Sequence, residues 1–244
     1  MKNSLILWRG PSALDGSPIR LVISGLTTPS TNPKTGDVLQ TWILPDDLSP
    51  AEAVRTGQDR GVCGSCPHRH HTGGGCYVLP WQAPTTIWRS TEGTLTLAEE
   101  LSKGRSGGFL QKLEALTTGR TLRMGSYGDP TAVPAKTWQT LVEILNTSYT
   151  LGYTHQWSAM CLPEDDLRWF RSRLQASTES DAGDREAQAL GWSTFRIIPA
   201  DGQTPLNSRE CPASTGISCD HCMACGANAN IYIRAHGARK ARFS

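Results

Sequence analysis

The stretch TLRMGSYGDP, residues 121–130, is typical of a β-strand that runs into a glycine-marked loop. Residues 134–146 follow it with apolar side chains at helical spacing, which predicts an amphipathic helix. A second strand-like segment, GYTHQWSAM at 152–160, comes after that helix. Strand, helix and strand in this order indicate a parallel βα unit.

The same alternation continues on both sides of this unit. Further helices are predicted at 95–103, 108–119, 163–173 and 183–190, and further strands at 174–180, 193–198 and 231–236. We therefore predict an α/β protein with about five to six parallel strands, too few for a complete eight-stranded barrel. A partial (β/α) barrel and an open α/β sheet both fit this pattern.

The N-terminal part predicts a different arrangement. IRLVISGL (19–26) and DVLQTWIL (37–44) are strand-like and flank a segment rich in turn formers, so we expect an antiparallel hairpin. Ser49-Pro50 then predicts the start of a helix, with serine as the N-cap. We predict a single domain, 1–244, whose segments are an N-terminal β-hairpin at 1–48, a Cys/His loop at 61–76, βα units at 95–200, a cluster loop at 211–225 and a basic tail at 234–244.

The cysteine content is that of a metal protein rather than of a disulfide scaffold. The chain has 244 residues, eight cysteines and a formal net charge of +2, so cysteine is too sparse for a secreted, disulfide-dense domain. The apolar run near the N-terminus is too short for a signal peptide, and no later run approaches a membrane span. We therefore expect a cytoplasmic protein, where clustered thiols bind metal more often than they pair.

Four of the cysteines lie in CPASTGISCDHCMAC, residues 211–225. The spacing of Cys219, Cys222 and Cys225, by two residues each, resembles the first three ligands of a bacterial ferredoxin run, and Cys211-Pro212 resembles the Cys-Pro pair of the remote ligand. We predict a [4Fe–4S] cluster held by these four cysteines, with zinc as the alternative. A cluster with four thiolate ligands has no open iron, and His221 is expected to be exposed.

The second group is CGSCPHRHHTGGGC, with Cys63, Cys66 and Cys76. Three thiolates could hold a second cluster whose fourth iron is open, or a zinc ion together with a histidine. The loop could also close over the first cluster without binding metal. We expect at least two histidines of this loop to be ordinary loop residues, and the lone Cys161 to be a buried small apolar residue.

Chemistry in a βα fold is expected at the carboxyl ends of the strands. Five residues follow predicted strands there and are our candidates for a catalytic pocket: Ser126, Tyr127, Asp129, Glu179 and Asp181. Asp129 and Glu179 are the first choices for acid–base work, because carboxylates near a metal serve this role readily. Each has an alternative role as a cap or turn residue, and Asp129-Pro130 is typical of a helix lead-in.

The order of these features resembles phage-encoded cysteine-rich proteins of the "gene product eighty-eight" type and their radical-SAM-like relatives. The segments that carry the resemblance are CGSCPHRHHTGGGCY, RMGSYGDP, YTHQWS, ASTES and CPASTGISCDHCMAC, within residues 60–226. The resemblance implies a bacteriophage protein of the host cytosol, an iron–sulfur cluster and a partial barrel. Radical-SAM enzymes use C-x3-C-x2-C, and this chain has no C-x3-C pair, which argues against S-adenosylmethionine as a cofactor.

Three functions fit the sequence. The first is an iron–sulfur enzyme that acts on a small or nucleotide-like substrate by radical-SAM-like, Lewis-acid or hydrolytic chemistry. The second is a nucleic-acid-binding protein with a structural cluster or zinc, whose basic tail at 234–244 contacts phosphates. The third is an electron carrier or redox sensor. A small-molecule substrate or a nucleic acid is thus the expected partner, and a membrane is not.

Overall fold

The computed structural model describes residues 1–103, 106–158, 162–226 and 229–243, and Cys161 lies outside them. In these residues nine strands form one mixed sheet, in the order β1-β2-β3-β4-β5-β6-β7-β9-β8. The strands are β1 Ser4–Pro11, β2 Pro18–Ser24, β3 Leu39–Pro45, β4 Thr121–Tyr127, β5 Tyr149–Thr154, β6 Gln175–Thr178, β7 Thr194–Ile198, β8 Arg209–Glu210 and β9 Ile231–Arg234. The sheet is not closed, since β1 and β8 are its two edges.

The predicted N-terminal hairpin is present and has an additional strand. β2 and β3 pair antiparallel, as predicted, and β1 adds to the outer side of β2. β3 then pairs in parallel with β4, so it joins the hairpin to the βα units. The sequence did not predict β1, although its residues Leu5, Ile6 and Leu7 are all buried.

The parallel part of the sheet confirms the α/β class. Each neighbouring pair from β3 to β7, and the pairs that β9 makes with β7 and β8, run parallel. This makes seven parallel strands in the described residues, one or two more than predicted. The extra ones are β3 and the two-residue β8, which is too short for a sequence pattern to indicate.

Helices cover one face of this sheet and form the main core with it. Trp138, Leu141 and Leu145 of the helix after β4 are buried in one apolar cluster with Leu122 and Met124 of β4. The helices are α1 Pro50–Thr56, α2 Arg60–Cys63, α3 Ala83–Ser90, α4 Leu97–Ser102, α5 Ser106–Thr117, α6 Ala135–Leu145, α7 Glu164–Arg171, α8 Asp181–Ala189 and α9 Cys219–Cys222. In the part of the chain that is described, none of them has the length and apolar character needed to cross a bilayer.

The cluster loop at 211–225 contributes to a second, smaller apolar core. Phe195 of β7 and Ile231 of β9 form a small apolar cluster with Ala224, which belongs to the cluster loop at 211–225. Ser49 caps α1 as predicted, because its hydroxyl accepts from the backbone N–H of Glu52. The Cys/His loop at 61–76 follows α1. Residues of both cysteine-bearing loops lie beside residues from the strand ends.

Candidate metal centre and cavity

A cavity of about 380 Å³ lies at the carboxyl ends of the parallel strands. Its wall includes Ser126 and Tyr127 at the end of β4, Tyr153 and His155 at the end of β5, and Ser177 of β6. Five cysteines, from both cysteine groups, also line it: Cys63, Cys66, Cys76, Cys211 and Cys219. The fold thus brings together two groups that are separated by more than a hundred residues of sequence.

The four cysteines of the cluster loop surround a small space. Cys211, Cys219, Cys222 and Cys225 all line a pocket of about 30 Å³ next to Tyr153. Backbone hydrogen bonds fix the two ends of this arrangement. The N–H of Cys211 donates to the carbonyl of Tyr232 at 2.8 Å, and the N–H of Cys219 donates to the carbonyl of Lys34 at 2.9 Å.

Strand β5 supports this loop from below. The hydroxyl of Tyr149 donates to the carbonyl of Met223 at 2.6 Å, and that of Tyr153 donates to Sγ of Cys225 at 3.2 Å. Gly226 passes so close to β5 that a Cβ there would lie 2.4 Å from the carbonyl oxygen of Thr150. Burial raises the pKa of Cys225 to about 12 despite the bond from Tyr153, so the bare thiol is neutral at pH 7.

The expected distance between thiolate sulfurs differs between a zinc site and a cubane cluster. In a tetrahedral zinc site the thiolate sulfurs are roughly 3.8 Å apart, given a Zn–S bond of about 2.3 Å. Among the described residues, no three cysteine sulfurs lie within 4.8 Å of one another. In a cubane cluster each thiolate binds a different iron, so the sulfurs stand farther apart. The four cysteines around this space are the ligands that the sequence predicts, and the choice between a cluster and zinc stays a prediction.

The Cys/His loop is folded tightly on itself and is tied to the strand ends. The N–H of Cys76 donates to the carbonyl of His68 at 3.0 Å, and a Cβ at Gly74 would lie 2.3 Å from the carbonyl carbon of His68. The N–H of Asp129 donates to the carbonyl of Val62 at 2.6 Å. Glycine is therefore required at residue 74, where the loop returns past its own backbone.

The three cysteines of this loop are half-buried, and they line the cavity together with two hydroxyls that lack partners. Burial raises the pKa of Cys63 well above its usual value and that of Cys66 to about 12. The buried Oγ of Ser126 and hydroxyl of Tyr127 have no hydrogen-bond partner among the described residues. Buried hydroxyls normally have one, so these two hydroxyls are free to bind a ligand or water in the cavity. A second metal group at the three cysteines stays a prediction.

Asp129 lines the cavity and also has a structural role, and its use as an acid or base stays a prediction. It is only 7% exposed. One carboxylate oxygen accepts from the N–H and hydroxyl of Thr131 and from the hydroxyl of Thr154, at 3.0, 2.7 and 2.8 Å. The other oxygen accepts from the N–H of His155 at 2.9 Å. With four donors bound, this carboxylate caps the 3₁₀ turn Pro130–Ala132 and ties the end of β4 to that of β5.

The two acidic residues after β6 are placed differently. The carboxylate of Glu179 lies between His68 and His155, which both line the cavity, although Glu179 itself is not part of the lining. Burial raises its pKa, but the hydrogen bonds from His155 and His68 outweigh this and hold the pKa at about 2. Asp181 does not reach the cavity: it begins α8, its side chain is 69% exposed and it pairs with Arg196. The structure thus places Asp181 outside the lining of this cavity.

The sequence did not predict two side chains that line the cavity, the imidazole of His155 and the guanidinium of Arg123. His155 follows β5 directly and was overlooked because the strand was predicted to extend to residue 160. Arg123 of β4 lines the cavity, and its positive charge lowers the pKa values of Cys219 and Cys225 against the larger effect of burial. In the described part of the chain its guanidinium has no hydrogen-bond or carboxylate partner, so this charge is available to a bound group.

The remaining histidines of the Cys/His loop are ordinary loop residues, as predicted for at least two of them. Nε2 of His70 is 2.8 Å from the carbonyl oxygen of Val78, and Nδ1 of His71 is 2.9 Å from that of Val54. Neither lines the cavity. His221, in the cluster loop, has a side chain that is 80% exposed, in agreement with its predicted position.

The basic tail packs onto the Cys/His loop. Arg239 donates to the carbonyl of Gly74 at 2.6 Å, and Arg242 donates to that of Gly73 at 3.0 Å. Phe243 is buried, stacks on Tyr77 and contributes to the cavity wall. The tail is thus part of the site, and two of its arginines have backbone partners. Contact of this tail with nucleic-acid phosphates stays a prediction.

Comparison of the chain with protein-family models, with curated proteins and with solved structures gave no match. The resemblance to phage-encoded cysteine-rich proteins therefore stays a prediction from the sequence, and the site is described from its own geometry.

Proposed function

We propose that this protein is an iron–sulfur enzyme that binds a small substrate in the cavity between its two cysteine groups. The observation that supports this most is the cavity of about 380 Å³ at the strand ends, lined by cysteines of both groups. An electron carrier needs a cluster near the surface but no chamber of this size. We further infer that the sheet curves around the cavity as a partial barrel.

Cys211, Cys219, Cys222 and Cys225 would hold a [4Fe–4S] cluster with every iron bound by the protein. Cys63, Cys66 and Cys76 would hold a second cluster, in which three thiolates leave one iron without a protein ligand. When bound, that iron supplies a Lewis acid or an electron to a substrate atom. The division of roles follows from ligand number, since the first site offers four thiolates and the second offers three.

The protein's own side chains would orient the substrate. The guanidinium of Arg123 faces the cavity without a carboxylate partner, so it would bind a phosphate or carboxylate group of a nucleotide-like substrate. The unpaired hydroxyls of Ser126 and Tyr127 would bind its neutral polar groups. Tyr153 and Phe195, whose rings lie 4.1 Å apart, form an apolar part of the wall.

Iron and sulfide analysis tests this proposal directly. Protein purified without oxygen is expected to be brown and to contain about eight iron and eight sulfide per chain, from two cubane clusters. A content of about four iron and four sulfide per chain would support the first cluster and contradict the second. Colourless protein that contains zinc without sulfide, even after anaerobic reconstitution with iron and sulfide, would overturn the proposal.

Removing the charge of Arg123 is expected to shift the cluster potential. Arg123→Ala takes a positive charge away from Cys219 and Cys225, which makes reduction of the adjacent cluster less favourable. We expect a potential lower by on the order of tens of millivolts, since cluster potentials follow local charge. The measurement is a redox titration followed by visible absorption. Arg123→Lys keeps the positive charge, so its potential should stay close to that of the wild type. Arg173→Ala, at an arginine that stacks on Trp169, should leave the potential unchanged.

A further inference from the structure

A third group of metal-ligating side chains lies beside the cavity, outside both cysteine groups. His68, His155 and Glu179 offer two imidazole nitrogens and one carboxylate oxygen, all within 4.8 Å of one another. Nε2 of His68 is 2.9 Å from one carboxylate oxygen of Glu179, and Nε2 of His155 is 3.2 Å from the other. Both nitrogens thus point at the same carboxylate.

We propose that His68, His155 and Glu179 form a mononuclear site for a divalent metal ion, separate from the cysteine groups. Nitrogen and oxygen ligands bind such ions at about 2.0–2.2 Å, which places neighbouring ligand atoms roughly 3–3.5 Å apart. The observed separations of 2.9 and 3.2 Å are already close to that spacing. Two histidines and a carboxylate are the ligand set of several catalytic zinc and non-haem iron(II) sites, which keep positions open for water or substrate.

The three ligands are placed by different elements that converge at one point. His155 directly follows β5 and Glu179 directly follows β6, which is the neighbouring parallel strand. Carboxyl ends of adjacent parallel strands meet at one edge of a sheet, so this proximity is built into the topology. His68 comes from the Cys/His loop and completes the set from the opposite side of the cavity.

Contacts behind the ligands hold them in position. The backbone N–H of His155 donates to the buried carboxylate of Asp129, which fixes the chain where it leaves β5. The ring of His68 lies between Phe243 and His155, with ring centroids 4.8 and 5.5 Å apart. The side chains of His68 and His155 are mostly buried, while that of Glu179 is 42% exposed. Such supporting contacts reduce the cost of ordering ligands around an ion.

The same geometry also suits a hydrogen-bonded triad without metal, in which each imidazole donates a proton to one carboxylate oxygen. The two arrangements respond differently to added metal. A metal site binds one ion per chain and loses affinity when a ligand is replaced, whereas a hydrogen-bonded triad binds none. Mn²⁺ is the suitable probe, because it prefers oxygen and nitrogen ligands and binds thiolates poorly.

Mn²⁺ binding to the purified full chain tests the site, with the electron paramagnetic resonance signal of free Mn²⁺ as the readout. We expect one Mn²⁺ per chain, and we expect Glu179→Gln and His155→Gln to weaken its binding at least about tenfold. Asp181→Asn, at a neighbouring exposed carboxylate, should leave the affinity unchanged. Because Glu179 is partly exposed, Glu179→Gln is expected to fold even if His155→Gln does not.

Two results would overturn the inference: no saturable binding of Mn²⁺, or equal affinity in the wild-type protein and in Glu179→Gln. The outcome is independent of the clusters. Mn²⁺ binding is measured on the full chain whether or not it contains iron, and the two residues substituted, His155 and Glu179, lie outside both cysteine groups. Failure of the iron–sulfur proposal would therefore leave this test intact, and failure of this site would leave the iron and sulfide analysis unaffected.

Discussion

Cys222→Ala is expected to remove about four iron and four sulfide from each chain, the content of one cubane cluster. Cys222 lies in α9 and lines the small space that it shares with the other three cysteines of its group. With three thiolates left, the cluster loop also loses the crosslink that a bound cluster would supply. Because metal binding contributes to folding, we expect a lower unfolding temperature as well as the loss of iron.

The companion variant is Cys76→Ala, in the Cys/His loop. If both groups hold clusters, each single variant retains about half of the iron, and the double variant retains none. Cys161→Ala, at the lone cysteine, is the matched control and should keep the full content. An unchanged iron content in Cys222→Ala would contradict the assignment of the cluster loop, and an unchanged content in Cys76→Ala would restrict the iron to one site.

Asp129→Ala is expected to destabilise the fold by roughly 3–4 kcal/mol, because it leaves buried donors from Thr131, Thr154 and His155 without their acceptor. These four hydrogen bonds are charge-assisted and join the ends of β4 and β5. The free energy of unfolding from urea titration is the measurement. We also expect weaker Mn²⁺ binding, since His155 loses the contact that positions its backbone.

Asp181→Ala provides the matched control for Asp129→Ala. Both aspartates follow a strand and both start a helical segment, yet Asp181 is exposed and shares Arg196 with Asp184. Its removal should leave the urea midpoint nearly unchanged, because exposed ion pairs contribute little. Equal effects of the two substitutions would show that the buried carboxylate of Asp129 is not the structural anchor described above.

The sequence was informative wherever an element had a strong local pattern. The run TLRMGSY and the amphipathic stripe around Trp138 predicted β4 and α6 nearly to their observed ends, and the two Cys groups were recognisable from spacing alone. Asp129-Pro130 was correctly seen as a cap as well as a candidate base. Only the structure could show the donors that this carboxylate binds, because those at the end of β5 are distant in sequence.

The parts that could not be predicted are those set by long-range packing. The end of β5 was placed too late because Trp157 continues the apolar pattern, although its side chain turns to donate to the carbonyl of Ser177. A strand that ends at Thr154 places His155 at its carboxyl end, where functional side chains are expected. The position of Arg123 and the packing of the tail depend on how the strands and loops assemble, and no local pattern encodes that assembly.

The packing of the basic tail against the Cys/His loop has a consequence for when the site forms during folding. Phe243 and Tyr77 stack across 166 positions of sequence, and Asp37 is joined to Asp220 across 183. We expect contacts between such distant residues to form late, because closing a long loop costs chain entropy before the contact can stabilise the fold. The sheet can assemble around its local βα units first. Metal insertion at the proposed sites would then follow, into a chain whose sheet is already assembled.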